Sequence, residues 1–211
     1  ADGRLELAAP RAFTARLDAT DLDATTLVPE GALRATELGI ATRVEGRLDA
    51  RRLRTRDLEV TGRWNGQPVS VQGDLLAALT ERGPRLELED LDATVGANRL
   101  LGTLRYREAL AVDLSVDAPA LEVLWPTLAG RLSGSVRARG AVDAPELRLD
   151  LSATGFALRD RGPAADRIAV NGTLALGGGA ETGVTLAVTG LRPQPDAEGP
   201  AVDGEAVVTG T

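Results

Sequence analysis

The chain has 211 residues, with 24 basic side chains that are all arginine, 31 acidic side chains and a formal net charge of −7, but no cysteine, histidine or methionine. The absence of cysteine excludes disulfides and thiolate metal sites, and the absence of histidine removes the usual general base and metal ligand. Opposite charges are interspersed, so the dense positive surface that nucleic acids require is missing. We therefore predict a protein that is not an enzyme, with no catalytic residues, no metal, no cofactor and no nucleic-acid partner.

Apolar and polar residues alternate along most of the chain with a period of two. Asn65-Gly66 lies between two such stretches, residues 58–64 and 69–75, and this dipeptide tolerates the positive φ angles of a tight hairpin. The alternation recurs at residues 110–116 and 147–153. Strands of this kind have one apolar face and one solvated face. The pattern predicts an all-β fold.

Residues 119–128 depart from the alternation. Leu121, Leu124 and Leu128 have helical spacing, and Asp117 is a candidate N-cap. A proline within the segment prevents a long helix. We predict at most one short helix here.

A loose repeat, an apolar residue two positions before and two positions after a glycine, runs through the chain. The glycine falls on the apolar face of each strand, where it weakens packing but permits sharp curvature or the close approach of other backbone. Recurrence at one register favours a sheet that curls repeatedly in the same direction. The copies begin at Val44, Val60, Val71, Leu100, Leu132, Val170 and, more weakly, Val202.

The apolar positions of these strands are the candidate ligand site, the lining of a hydrophobic groove. They are Val44, Leu48, Leu58, Val60, Trp64, Val69, Val71, Leu86, Leu88, Leu104, Val112, Leu114, Val116, Leu132, Val136, Leu147, Leu149, Leu151, Val170, Leu174, Leu176, Val184, Leu186 and Val188.

Residues 95–158 carry motifs in a specific order. A "GxN" turn at 96–98 precedes a glycine-bearing strand, then "dAPxL" at 117–121, "PxLxG" at 126–130 and "GxxxxPxL" at 140–147. Each motif alone is weak, but their order and spacing together resemble the repeats of the TamB family, which belongs to the AsmA-like bridge-type lipid transfer proteins. The flanking segments, 1–94 and 159–211, match only in their alternating strands, and we expect all three segments to form one continuous curled sheet.

The resemblance implies an elongated, U-shaped sheet, called a β-taco, with an apolar lumen. It implies a periplasmic segment of an envelope protein of a Gram-negative bacterium, with the inner-membrane anchor elsewhere in a longer chain. It also implies two partners: phospholipid acyl chains, and an outer-membrane barrel of the TamA/BamA type that contacts another part of the parent protein. The implied roles are phospholipid transport and outer-membrane protein assembly, including that of autotransporters.

Two charged motifs have alternative interpretations. Residues 21–25 recur as residues 90–94, both Asp-Leu-Asp-Ala-Thr. Paired aspartates bind hard cations, but neither copy continues into a calcium loop, so equivalent strand starts are the favoured interpretation. Residues 51–56 are the densest basic stretch and are candidates for contact with lipid head groups, although a solvated edge neutralised by neighbouring acids is favoured.

Period-two alternation alone leaves other functions open. A structural or adhesive surface β-sandwich would bury its apolar faces against each other and contain no groove. A β-helical carbohydrate-active enzyme is disfavoured because only 2% of residues are aromatic.

Overall fold

A computed structural model describes residues 2–8, 12–22, 35–47, 52–81, 83–159, 162–176, 182–193 and 201–210. These residues form antiparallel strands and one short helix, which confirms the predicted all-β class. The elements are β1 (Asp2–Ala8), β2 (Ala12–Leu22), β3 (Ala35–Arg47), β4 (Arg52–Trp64), β5 (Gln67–Thr80), β6 (Gly83–Val95), β7 (Asn98–Tyr106), β8 (Leu110–Ala118), α1 (Leu121–Leu124), β9 (Leu128–Ala141), β10 (Ala144–Leu158), β11 (Ala164–Ala175), β12 (Thr182–Leu191) and β13 (Val202–Gly210).

The chain folds as two compact units, one from residues 1–96 and 100–111 and the other from residues 97–99 and 112–211. In the first unit, β1 to β6 each pair antiparallel with the next strand along the chain. In the second unit, β9 to β13 do the same. Each series is therefore a meander of hairpins without crossovers. The three segments expected from the sequence remain a prediction.

The local sequence explains these hairpins. Asn65 and Gly66 have φ angles of 48° and 79°, so both central residues of the β4–β5 turn have the positive φ that the Asn-Gly dipeptide predicts. On β8, half-buried Val112, Leu114 and Val116 alternate with exposed neighbours. One-sided burial therefore follows the period-two pattern of the sequence.

The predicted short helix is present as α1, but it is shorter than the apolar spacing suggested. Leu121 is buried, whereas Leu128 already belongs to β9. The predicted cap is wrong: the N-cap residue is Ala120, no side chain caps the helix from that position, and Asp117 lies in β8. The strand simply continues past Asp117 before the chain turns.

We expected the two copies of the Asp-Leu-Asp-Ala-Thr motif to start equivalent strands. This expectation is wrong for the second copy, which the structure describes in full. The second copy, residues 90–94, lies in the interior of β6. Asp90 has a φ of 52°, and the β5–β6 register shifts between Gln72 and Asp74. A short polar side chain tolerates this left-handed conformation, which belongs to a β-bulge. Only Asp21 and Leu22 of the first copy are described; they end β2, and the rest lies outside the described residues.

Candidate functional site

One face of the first unit is apolar across β2 to β6, and we call it the first apolar face. The strand register aligns its side chains in rows that cross the sheet. One row is Phe13, Gly46, Leu53, Ala77 and Leu86. The next is Ala15, Val44, Thr55, Leu75 and Leu88, and a later one is Ala19, Ile40, Val60, Val71 and Ala93.

The side chains of the first apolar face are only partly buried. Val44 is 6% exposed, but Leu53 and Leu86 in the neighbouring row are 39% and 38% exposed. No large side chain among the described residues is fully buried. A packed second layer would bury such leucines, so this face has no covering layer in the described part of its unit.

The sheet curls within the first unit. Phe13 of β2 and Tyr106 of β7 line the same cavity of about 690 Å³, together with Leu53, Leu79 and Leu86. In a flat sheet, five strand spacings would separate β2 from β7 by about 24 Å. The shared cavity therefore requires that the apolar face bend into a trough.

Two bulges on the middle strands contribute to this bend. Asp57 on β4 has a φ of 53°, where the β4–β5 register shifts between Thr55 and Leu58. The bulge at Asp90 lies two strands away, with Gly73 of β5 between them. A Cβ atom on Gly73 would lie 3.1 Å from the backbone oxygen of Glu89. Bulges bend and twist a strand, and a residue without a side chain lets its neighbour approach.

Gly46, in the first row, has a different function. The ring of Phe13 lies directly over it, in the space that a Cβ atom would occupy. Phe13 and Gly46 are cross-strand partners. An aromatic ring that covers a strand glycine restores the packing that the missing side chain would supply.

The second unit has an equivalent surface on β9 to β12, the second apolar face. Its strands are also aligned, and its large side chains are half-buried or exposed; Leu186, for example, is 38% exposed. One row is Val136, Leu149, Gly172 and Val184, the next is Gly134, Leu151, Val170 and Leu186, and a third is Leu132, Ala153, Ile168 and Val188.

Two repeat glycines of this face are required by backbone geometry. Gly134 and Gly172 have φ angles of 142° and 149°. A Cβ atom on Gly134 would meet the backbone oxygen of Asp150 and lie 2.8 Å from the Cα atom of Leu151. At Gly172 it would lie 2.7 Å from the Cα atom of Val184. These glycines let neighbouring strands approach more closely than any other residue would allow.

The predicted lining residues fall on these surfaces. Val44, Leu58, Val60, Trp64, Val69, Val71, Leu86 and Leu88 share the alternation of the first apolar face, and Leu104 has the strand parity of Tyr106 on β7. Val112, Leu114, Val116, Leu132, Val136, Leu147, Leu149, Leu151, Val170, Leu174, Val184, Leu186 and Val188 belong to the second unit, on the half-buried side of β8 and in the rows of β9 to β12. Leu176 lies just after β11 and is 44% exposed, and Leu48 lies outside the described residues. Their contact with a ligand remains a prediction.

Sequence reasoning missed four residues that line the trough of the first unit: Phe13, Leu53, Leu79 and Tyr106. Tyr106 follows Leu104 at the two-residue spacing of a strand face, so the alternation predicts that Tyr106 lies on the same face. Leu53 lies between two arginines, so the sequence around it does not indicate an apolar face.

Asn98 explains the spacing of two family-like motifs. Its side chain is 4% exposed, and its Nδ2 donates to the backbone oxygen of Ala120 at 2.8 Å. The backbone N–H of Ala120 donates to Asn98 Oδ1 at 3.0 Å. The "GxN" turn thereby binds the "dAPxL" segment, where Ala118 and Leu121 are buried. This paired contact fixes the start of α1.

The opposite face of the first unit carries charged side chains, one of which is buried. Glu87 is 7% exposed and accepts hydrogen bonds from Arg85 Nε at 2.9 Å, from Arg85 Nη2 at 3.0 Å, and from Arg107. The bond from Arg85 is the main reason that the pKa of Glu87 is lowered; burial acts in the opposite direction, and Arg107 lowers the pKa further. Glu87 pairs with Leu76 on the face opposite the trough, where its hydrogen bonds stabilise the sheet.

The described residues contain no group of three or more acidic side chains arranged to hold a metal ion. The described part of the chain also has no helix long and apolar enough to cross a membrane. The described strands present exposed apolar side chains, such as Leu53, Leu86 and Leu186.

Comparisons with known proteins confirm the family that the motifs resemble. The family model described as "TamB, N-terminal domain" matches residues 1–197. The chain is similar to the translocation and assembly module subunit TamB of Haemophilus influenzae, with 31% identity over 103 residues. This match covers 48% of the chain but only 8% of that relative. No solved structure matches the chain. Because the family model covers most of its length, the chain belongs to the TamB N-terminal domain family.

Proposed function

We propose that this segment is part of an envelope-spanning TamB-like protein and that its two apolar faces hold phospholipid acyl chains during passage across the periplasm. The observation that carries the proposal is the first apolar face, which curls around a cavity of about 690 Å³ and leaves Leu53 and Leu86 more than a third exposed. Acyl chains in contact with such a surface gain about 0.8 kcal/mol for each buried CH₂ group.

Family membership supports the cellular setting of this proposal. The similar protein of Haemophilus influenzae is a subunit of a translocation and assembly module. By analogy, the parent protein has its inner-membrane anchor outside these residues and contacts an outer-membrane barrel of the TamA/BamA type through another region. In that setting the segment contributes to outer-membrane biogenesis, by phospholipid transport or by shielding unfolded outer-membrane proteins such as autotransporters.

A structural or adhesive surface β-sandwich without a groove is the main alternative, and it has less support than a lipid-holding surface. Two packed sheets would bury the apolar residues of both faces, whereas the buried aliphatic positions of the described residues are mostly alanines, such as Ala118, Ala138 and Ala153. Leucines that stay exposed on an aligned, curled face fit a surface that a ligand covers better than they fit the interior of a sandwich.

Site-specific photocrosslinking in cells tests the proposal. Leu149 is half-buried on the second apolar face, and its neighbour Asp150 is exposed on the opposite face of β10. We expect a benzoylphenylalanine placed at Leu149 to form adducts with phospholipid, and the same probe at Asp150 to form none. Equal adduct yields at both positions, or adducts at neither, would contradict a lipid-holding face.

A further inference from the structure

Phe13 forms part of the floor of the trough in the first unit. Its ring extends from β2 over Gly46, its cross-strand partner on β3, and Gly46 is buried beneath it. Gly46 does not have the positive φ that disfavours a side chain, so a larger residue would suit its backbone conformation. The ring of Phe13 occupies the space that such a side chain would fill. The floor at this point therefore consists of an aromatic ring supplied by the neighbouring strand.

The same ring borders the cavity of the first apolar face, which has little width to spare. Phe13 lines this cavity on β2 and Tyr106 lines it on β7. Between them, the exposed side chains of Leu53 and Leu86 lie on either side of the small Ala77, with which both residues pair. Two strand spacings, about 10 Å, separate the backbones of the two leucines. Because apolar atoms pack at about 4 Å from each other, this gap holds one hydrocarbon chain between the two leucine side chains.

The ring of Phe13 adapts to a ligand less readily than the leucines do. Leucine side chains rearrange by changing rotamer, whereas an aromatic ring is planar and rigid and turns about only two side-chain bonds. The backbone of Gly46 lies directly below the ring and prevents it from moving deeper into the sheet. Movement away from Gly46 would carry the ring into the cavity. The width of the cavity at β2 is therefore fixed by Phe13.

We infer that Phe13 is a specificity-determining residue, which makes this cavity accept straight acyl chains in preference to kinked ones. The inference rests on the proposed function and adds the shape of the acyl chain to it. A cis double bond bends a chain and widens the space that it needs, and a close-packed apolar site resists extra volume. Discrimination of this kind is modest, because shape differences between apolar groups change binding by small factors.

The test offers the purified chain vesicles that contain equal amounts of two phosphatidylglycerols with acyl chains of the same length. One lipid is saturated, the other has a cis double bond in each chain, and the temperature keeps both fluid. Native mass spectrometry with release of the bound lipid gives the ratio of the two. We expect the unmodified chain to bind about threefold more of the saturated lipid. Phe13→Ala should bind both equally, because loss of the ring uncovers Gly46 and widens the cavity.

Further variants distinguish the width of the cavity from the stability of the fold. Phe13→Ala/Gly46→Val places a side chain of β3 in the space that the ring has left, and it should restore the preference for the saturated lipid. The closest contact that remains for its Cβ atom is the backbone oxygen of Arg52 at 3.0 Å, which a small shift relieves. Phe156→Ala is the matched control, because it removes the other phenylalanine of the chain, on β10 in the second unit, and should leave the ratio unchanged. Phe13→Leu keeps an apolar side chain on β2, and it replaces Phe13→Ala if thermal unfolding shows that Phe13→Ala does not fold.

The outcomes separate this inference from the proposed function. A preference that survives replacement of Phe13, that disappears equally in the Phe156→Ala control, or that a folded Phe13→Ala/Gly46→Val variant fails to regain overturns the role of Phe13. Lipid uptake by the unmodified chain without any preference overturns it as well, but leaves the proposed function intact. If the unmodified chain takes up neither lipid, the proposed function itself fails, and the inference fails with it.

Discussion

At the scale of single residues, the polar groups that matter most for stability are those that the fold has buried. Asn98 makes a two-way hydrogen bond with the backbone of Ala120, and Glu87 is enclosed by two arginines. Neither contact could be predicted from the sequence. Asn98 and Ala120 are 22 positions apart, and the burial of Glu87 depends on which strands come together.

Replacement of Asn98 should destabilise the second unit. Asn98→Ala leaves the N–H and oxygen of Ala120 without their partner, and we expect the free energy of unfolding to fall by about 1–3 kcal/mol. The exposed Asn171 on β11 provides the control, since Asn171→Ala should cost less than about 0.5 kcal/mol. Urea denaturation of both variants measures the difference. Equal effects would mean that the Asn98 contact contributes nothing beyond an ordinary surface amide.

Two glycines of the same sequence repeat should respond in opposite ways to alanine. Gly134→Ala introduces a Cβ atom against the backbone of β10 at a φ of 142°, so we expect a loss of about 1–3 kcal/mol. A Cβ atom on Gly204 meets nothing within 4 Å, and Gly204→Ala should be neutral or stabilising by up to about 1 kcal/mol. Thermal unfolding of the two variants distinguishes them. A tolerated Gly134→Ala would contradict the close strand approach at this position.

The charge of Glu87 should make the stability of the fold sensitive to acid. Its pKa in the folded chain is lowered by Arg85, so its ionised form stabilises the fold above its unfolded pKa of about 4.3, and this contribution disappears as the pH falls through the folded value. We expect Glu87→Gln to be less stable than the unmodified chain near neutral pH, with the two stabilities converging in acid. Urea denaturation over a pH series measures the convergence. A constant difference at every pH would contradict the role of the charge.

At the scale of strands, the alternating pattern was a reliable guide to which residues share a face. It placed Leu114, Leu149 and Val170 on the apolar side, and Asn65-Gly66 in a hairpin turn, as the structure has them. The curl of the first unit was harder to predict from the sequence. It depends on bulges at Asp57 and Asp90, and a bulge is a relation between two paired strands that the residues of one strand do not specify.

Two adjacent residues on β8 test whether lipid contacts only the apolar side of the strand. Leu114 is half-buried on the apolar side, and Ser115 is exposed on the other. Leu114→Arg places a charge in the proposed lipid surface, and we expect uptake of phospholipid from vesicles to fall about tenfold, which corresponds to about 1.4 kcal/mol. Ser115→Arg adds the same charge to the solvated side and should leave uptake unchanged. Similar losses in both variants would indicate that charge, and not the facing of β8, controls binding.

At the scale of the whole molecule, composition and exposure support the same account. Hydrophobic residues make up 43% of the chain, which contains no histidine or cysteine. In strands such as β8, the apolar residues lie on one side and the polar residues on the other. The apolar surface that most domains bury remains accessible here: Leu17 is 49% and Leu79 is 48% exposed. An apolar surface of this kind indicates an interaction site, because exposed patches favour association with other apolar matter.

We propose that phospholipid covers the apolar faces, and native mass spectrometry of the chain purified from a bacterial host tests this most directly. We predict discrete mass additions that correspond to intact phospholipids, reduced by Leu149→Arg on the second apolar face and unaffected by Ser133→Arg, an exposed position on the other side of the sheet. Protein that carries no lipid under gentle extraction, or lipid that remains undiminished in Leu149→Arg, would contradict the account.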